Sequence, residues 1–307
     1  MIETLRAVLS LQATLLLLVL AGAAGKKLGV ITAGFQNGLS RFLVYMVLPC
    51  SVLNAFSKGN TVGIWEQSLQ ILAVMSAVHV FYILLNLLLY RRKSPGRGAV
   101  LRFAVLCPNT NFMGMPVIGG IFGETGTLLL SVALFPVRVF ILTVGISYFV
   151  IGRSGRWVIH LFKNPAVWAV FLGAAMLLLE WQLPAPAERA VSALSACTTP
   201  LSMILIGGVV GNLKKEMLRD LEVWKFCLLR LILIPMALLL ALRPLPLDPV
   251  VCGVAVVMSA LPAGAMTVIY TKEYEKDEDF AAACVVFSTL LSVLTIPVVN
   301  LASISLF

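Results

Sequence analysis

Residues 107–116 read CPNTNFMGMP, and this stretch decides the fold. Two prolines, a glycine, two asparagines and a threonine stand together there. The flanks are GAVLRFAVL (98–106) and VIGGIFGETGTLLLSVALF (117–135), both apolar enough for lipid. Proline removes an amide donor and clashes with the preceding turn, so a helix entering this stretch breaks. Broken backbone at membrane depth is tolerated only inside protein or beside a water-filled cavity. The stretch therefore marks an interior, polar interruption of a membrane helix.

The rest of the chain supports that setting. It has 307 residues, 60% of them hydrophobic and only 12% charged. A soluble domain carries about 25% charged residues. The apolar residues come in long blocks, and about 20 such residues cross the roughly 30 Å hydrocarbon core. Ten stretches qualify: 7–25, 36–56, 69–90, 99–123, 127–151, 165–181, 190–212, 221–242, 249–271 and 280–301. The first lacks a basic start and is followed by Lys26 and Lys27, so it reads as a retained helix and not a secretory signal. Short joining loops leave no room for a separate soluble domain. The expected fold is an all-α polytopic membrane protein, multi-pass in the cell (inner) membrane, with the lipid bilayer as its surroundings. Six cysteines lie inside these stretches without CxxC spacing, which points to packing and not to zinc or disulfides. No HExxH, GxSxG or nucleotide loop is present, so neither an enzyme nor a cofactor site is expected.

The net charge of +9 is a topology signal. The face with the loops after the odd-numbered spans collects 15 Lys and Arg, counting Lys225 at the start of the eighth span; the other face collects 4, counting Arg6 ahead of the first. The positive-inside rule puts the first face in the cytoplasm and both termini outside. No nucleic-acid role is needed.

The two halves also resemble each other. Pro49 and Ser51 recur 151 residues later as Pro200 and Ser202. Gly114 and Ala265, and Glu124 and Glu275, keep the same offset. Five spans per half makes the second copy inverted, giving repeats at 1–151 and 152–307. The opening stretch then has a counterpart in SALPAGAMT (259–267), with Asn111 matched to Pro262. Paired helix breaks in corresponding positions point to a carrier's binding site. The alternative is a pair of packing kinks in which Asn109 and Asn111 satisfy freed carbonyls.

At such breaks the half-helix N-termini offer positive potential. Asn109, Thr110 and Asn111 add side-chain donors, and the backbone of Pro262, Ala263 and Gly264 lies opposite. Ser51 and Ser202 are weaker candidates, chosen for their adjacency to the repeated prolines. Deep charges are all basic. Arg138 lies mid-span; Arg230 lies nearer a span end, where snorkelling or capping is expected. All fourteen acidic residues are peripheral, so no carboxylate-ligated sodium site is expected in the core. His79, deep in the third span, is a candidate proton relay or a neutral structural histidine. Gly119, Gly120, Gly123, Gly207, Gly208 and Gly211 read as helix-packing positions. The signs agree on a small organic anion, a carboxylate, as substrate.

PNTNFMGMP, ALPAGAMTVIYTKEYEKD (260–277), LSRFLVYMVLPCSVL (39–53) and FKNPAVWAVFLGA (162–174) resemble the auxin efflux carrier family, which includes plant auxin exporters and bacterial malate and malonate carriers. The likeness covers nearly the whole chain, without the long cytoplasmic loop of many plant members. It implies the fold of the bile acid sodium symporters, with ten helices in two inverted five-helix repeats and crossed broken helices 4 and 9. Helices 1, 2, 6 and 7 would form a scaffold; helices 3–5 and 8–10 would form a transport domain that moves as an elevator. The crossover asparagine and proline of the family fall on Asn109 and Pro108, and the proline of its ALPxG motif on Pro262. A homodimer is also implied. The competing function is a ligand-binding membrane sensor using the same fold without net transport.

Overall fold

The computed structural model describes residues 2–58, 64–91, 93–149, 165–179, 181–210, 219–264 and 266–307. The described residues are helical, with one isolated β-bridge. In chain order the helices are α1 (Ile2–Lys27), α2 (Ala33–Phe42), α3 (Leu48–Lys58), α4 (Ile64–Leu89), α5 (Pro95–Leu106), α6 (Met115–Phe140), α7 (Pro165–Leu178), α8 (Ala185–Ala196) and α9 (Thr198–Val210). Then follow α10 (Leu221–Leu228), α11 (Ile234–Leu242), α12 (Pro249–Ala260), α13 (Met266–Glu273) and α14 (Glu278–Leu306). π-helical turns lie at Leu43–Val47, Thr110–Gly114, Ile141–Gly145 and Leu229–Leu233. Among the described residues, five helical segments are long and apolar enough to cross a membrane: Ile64–Leu89, Phe112–Gly145, Ala185–Gly208, Leu221–Leu242 and Glu278–Leu306.

The chain divides into two compact units. One comprises Met1–Ser68, Asn111–Val132 and Phe162–Asn212. Its principal packing is α1 on α9 and α3 on α7 and α8. Small residues permit the first of these contacts. A Cβ at Gly207 would stand 2.0 Å from the Val19 carbonyl oxygen, and one at Gly22 would stand 2.2 Å from that of Ile204. The packing expectation for Gly207 is met; Gly211 lies outside the described residues. Gly123 behaves differently. It has φ 66° and ψ −153°, and a Cβ there would meet nothing within 4 Å. That backbone is open essentially to glycine alone. Gly123 therefore bends the chain inside α6, where close packing was expected.

The other unit comprises Leu69–Thr110, Ala133–Leu161 and Leu213–Phe307. Here α14 is the central element, packing against α5, α10, α12 and α13. Its partner α12 is buried without a break from Val251 to Ala260. An ion cluster gathers the N-terminal ends of three helices in this unit. Asp220 caps α10 through the Glu222 amide, and Asp277 caps α14 through the Phe280 amide. Arg97, in the first turn of α5, pairs with Asp220 at 2.9 Å and with Asp277 at 3.1 Å. Its guanidinium also lies over the Phe280 ring at 4.6 Å, and Lys93 pairs with Glu222. Partial burial works against the Arg97 charge, but Asp277 and Asp220 outweigh it and hold the guanidinium above its usual range.

Candidate functional site

The second unit brings the two interruptions together. Helix α5 ends at Leu106 and α12 at Ala260; both are twelve residues long and both begin with proline. Beyond them the chain extends. The Asn109 amide donates to the Pro262 carbonyl at 2.8 Å, and the Gly264 amide donates to the Cys107 carbonyl at 2.8 Å. These bonds form the single antiparallel bridge between Pro108 and Ala263. Each break thus satisfies part of the other's backbone, which buried main chain requires. Gly264 is needed for the approach. A Cβ there would meet Cys107 Sγ at 3.0 Å and the Pro108 oxygen at 3.1 Å. The breaks correspond at an offset of 154 residues, from Pro95 to Pro249 and from Pro108 to Pro262. The expected match of Asn111 to Pro262, at 151, is three residues out of register with this geometry.

The remaining backbone groups at the crossover take side-chain partners. The Ala263 amide donates to Ser288 Oγ on α14 at 3.1 Å. The Thr110 amide turns back onto the Pro108 carbonyl at 2.8 Å. Arg230, fully buried in the π-helical turn Leu229–Leu233, donates through Nε to the Leu261 carbonyl and through Nη1 to the Val105 carbonyl, both at 3.0 Å. Of the two roles open to Arg230, capping is the one observed, and its charge is directed at main-chain carbonyls. Tyr82 lies beside it, with the guanidinium 5.3 Å from the ring centroid. His79 is also fully buried. Its Nδ1 faces the Met75 carbonyl at 2.8 Å, so this nitrogen carries the proton, and the ring stacks on Phe140. The Leu106 carbonyl lies near the ring, although Nε2 has no partner of good geometry.

Two polar residues at the crossover are buried. Asn109 is 4% exposed and Thr110 3%. Buried polar groups are ordinarily paired with protein or water, and each unpaired donor is costly. Thr267, in the first turn of α13, is fully buried, and its hydroxyl has no partner among the described residues. Sequence reasoning missed Thr267 and Ser288; Thr267 closes the GAMT segment, whereas nothing in the sequence marks Ser288. Arg138 is buried in the same unit, within electrostatic reach of Cys107 and Tyr270.

Three further candidates belong to the first unit. Ser51 Oγ lies 3.3 Å from Ser195 Oγ. Ser202 is fully buried with its hydroxyl unpartnered. Asn111 begins the Asn111–Val132 segment of that unit.

An apolar helical chain with two interrupted helices, paired through their backbones around buried polar side chains, has the features of a membrane-embedded transporter. The sequence belongs to the family described as membrane transport protein, the auxin efflux carrier type, which it matches at residues 7–157 and 153–300. An uncharacterized transporter from Methanothermobacter thermautotrophicus is 26% identical over 302 residues, covering 92% of this chain and 94% of the relative. YfdV from Escherichia coli, also named an uncharacterized transporter, is 21% identical over 273 residues, 85% of this chain and 86% of its own. A putative malonate transporter from Rhizobium meliloti is 22% identical over 280 residues, 84% of each chain.

Proposed function

We propose that this chain is a secondary carrier of small organic anions, carboxylates, which bind at the crossover of the two interrupted helices. The observation that carries the reading is the burial of the polar pair Asn109 and Thr110 at the crossover, beside the Thr267 hydroxyl, which has no partner among the described residues. A carboxylate accepts several hydrogen bonds and would satisfy both, along with the Thr267 hydroxyl. Pro108, Pro262, Ala263 and Gly264 supply the backbone frame, and Arg138 supplies positive charge to the same unit. The name of the Rhizobium meliloti relative supports the class, since malonate is a small dicarboxylate.

The proposal includes ten membrane helices in two inverted repeats, 1–151 and 152–307, both termini outside the cell membrane, and a homodimer. Elevator-type alternating access is the mechanism proposed with it. The unit containing α5 and α12 is suited to moving as a body, because Arg97 ties three of its helix ends together. Uptake of radiolabelled organic acids into proteoliposomes, across mono- and dicarboxylates with neutral and cationic controls, tests the function. Saturable uptake confined to the acids is expected. Uptake of neutral or cationic solutes alone would refute it. Thiol labelling near Phe307 tests the orientation, with labelling from outside expected.

A further inference from the structure

Helix breaks expose two kinds of end. The N-terminal ends present amides and positive potential; the C-terminal ends present carbonyls and negative potential. An anion held at the crossover benefits from the first and is repelled by the second. Helices α5 and α12 both direct their C-terminal ends at the crossover, because Leu106 and Ala260 are the last residues before the paired strands.

One residue meets both ends. Arg230 donates to Leu261, the C-cap of α12, and to Val105 in the last turn of α5. These acceptors are 31 and 125 residues away in the chain. Among the described residues no acidic side chain pairs with Arg230. Each helix end carries about half an electronic charge, so two ends roughly balance one guanidinium. The π-helical turn that carries Arg230 is itself a rare backbone feature found at functional positions. The carbonyls it binds flank the two strands that pair at Pro108 and Ala263.

We propose that Arg230 is a positioning residue, a single fixed positive charge shared by the carbonyl ends of both interrupted helices. It holds the strands Cys107–Asn109 and Pro262–Gly264 in register and cancels the negative potential those ends would otherwise place beside the substrate. The second consequence rests on the crossover being the anion site; the first does not. The planar guanidinium serves two carbonyls at fixed spacing, which a lysine ammonium does less well.

Hydrogen exchange of the purified, full-length protein tests this with no ligand present. The Asn109 and Gly264 amides report the register directly, since they make the two pairing bonds. In Arg230→Gln, peptides spanning them should exchange about tenfold faster or more, while peptides from α14 and α1 keep their wild-type rates. Arg230→Lys should lie between, because it restores the charge but not the fork. Arg97→Gln, in the exposed ion cluster of the same unit, should leave both amides protected. Unchanged protection in Arg230→Gln, or acceleration spread evenly over the unit, would overturn the proposal. Should Arg230→Gln not fold, Arg230→Lys decides alone: faster exchange confined to the crossover supports the role, and any other pattern contradicts it. A wild-type protein that binds no organic anion would refute the proposed function, while the exchange result would still decide the role of Arg230.

Discussion

The two interruptions share a backbone and differ in side chains. Cys107–Asn109 and Pro262–Gly264 each follow a twelve-residue helix opened by proline, and each donates one amide to the other. The first break then presents Asn109 and Thr110; the second presents Ala263 and Gly264. Ala263 is fully buried and takes its amide partner from Ser288, whereas Asn109 and Thr110 bring polar side chains into the buried crossover. The shared part is architecture, because extended main chain in a dry interior has to pair. The unshared part is chemistry. Small residues in the second break let the strands approach, and polar residues in the first present donors at the point of approach.

Removing the smallness of the second break should have the largest effect. Gly264→Val puts a branched side chain against Cys107 Sγ and the Pro108 and Cys107 oxygens, all within 3.2 Å of even a Cβ. Overpacking of this kind costs about 2 kcal/mol or more, and here two of the neighbours are backbone. The unfolding midpoint in detergent should fall by several degrees, and transport should be lost. A variant with the wild-type midpoint would show that the strands do not need this contact.

Ser288→Ala separates the two breaks more gently. It leaves the buried Ala263 amide without an acceptor, at a cost of about 1–3 kcal/mol, and touches nothing in the first break. Exchange at Ala263 should accelerate while Asn109 stays protected. Equal acceleration at both would mean that the breaks are one cooperative unit.

The smallest effect should come from the ion cluster. Arg97 is 38% exposed, so Arg97→Gln should cost at most about 1 kcal/mol, and added salt should shrink the difference from wild type. A large, salt-independent loss of stability would place the cluster among the determinants of the fold.

How much of this was legible in the sequence follows from what each feature depends on. The first break was legible, because Pro108, Asn109 and Asn111 interrupt an apolar run that has no other reason to hold them. Helix is found within all ten apolar stretches, since their length and composition are local properties. The correspondence between the two halves proposed from the sequence disagrees by three residues with the offset of the paired breaks. Pro49 and Pro200 set one offset and the paired breaks another, and loop lengths between them shift it. The role of Arg230 was open because its acceptors are main-chain carbonyls, which leave no mark in a sequence. Ser288 was invisible for the same reason: its partner is the backbone amide of Ala263, in the second break. Gly123 looked like a packing glycine because small size and positive φ select the same residue.

The claim that the first break holds the substrate's charged group is tested most directly by anion binding to Asn109→Ala. The substitution removes the side-chain amide and keeps the backbone N–H that pairs with Pro262, so the crossover should stay intact. Titration of wild type and variant with a panel of mono- and dicarboxylates, alongside unliganded unfolding midpoints, separates binding from folding. The account predicts saturable carboxylate binding by wild type, weakened about tenfold or more in Asn109→Ala at an unchanged midpoint. Equal affinity in the two proteins at equal stability would contradict it.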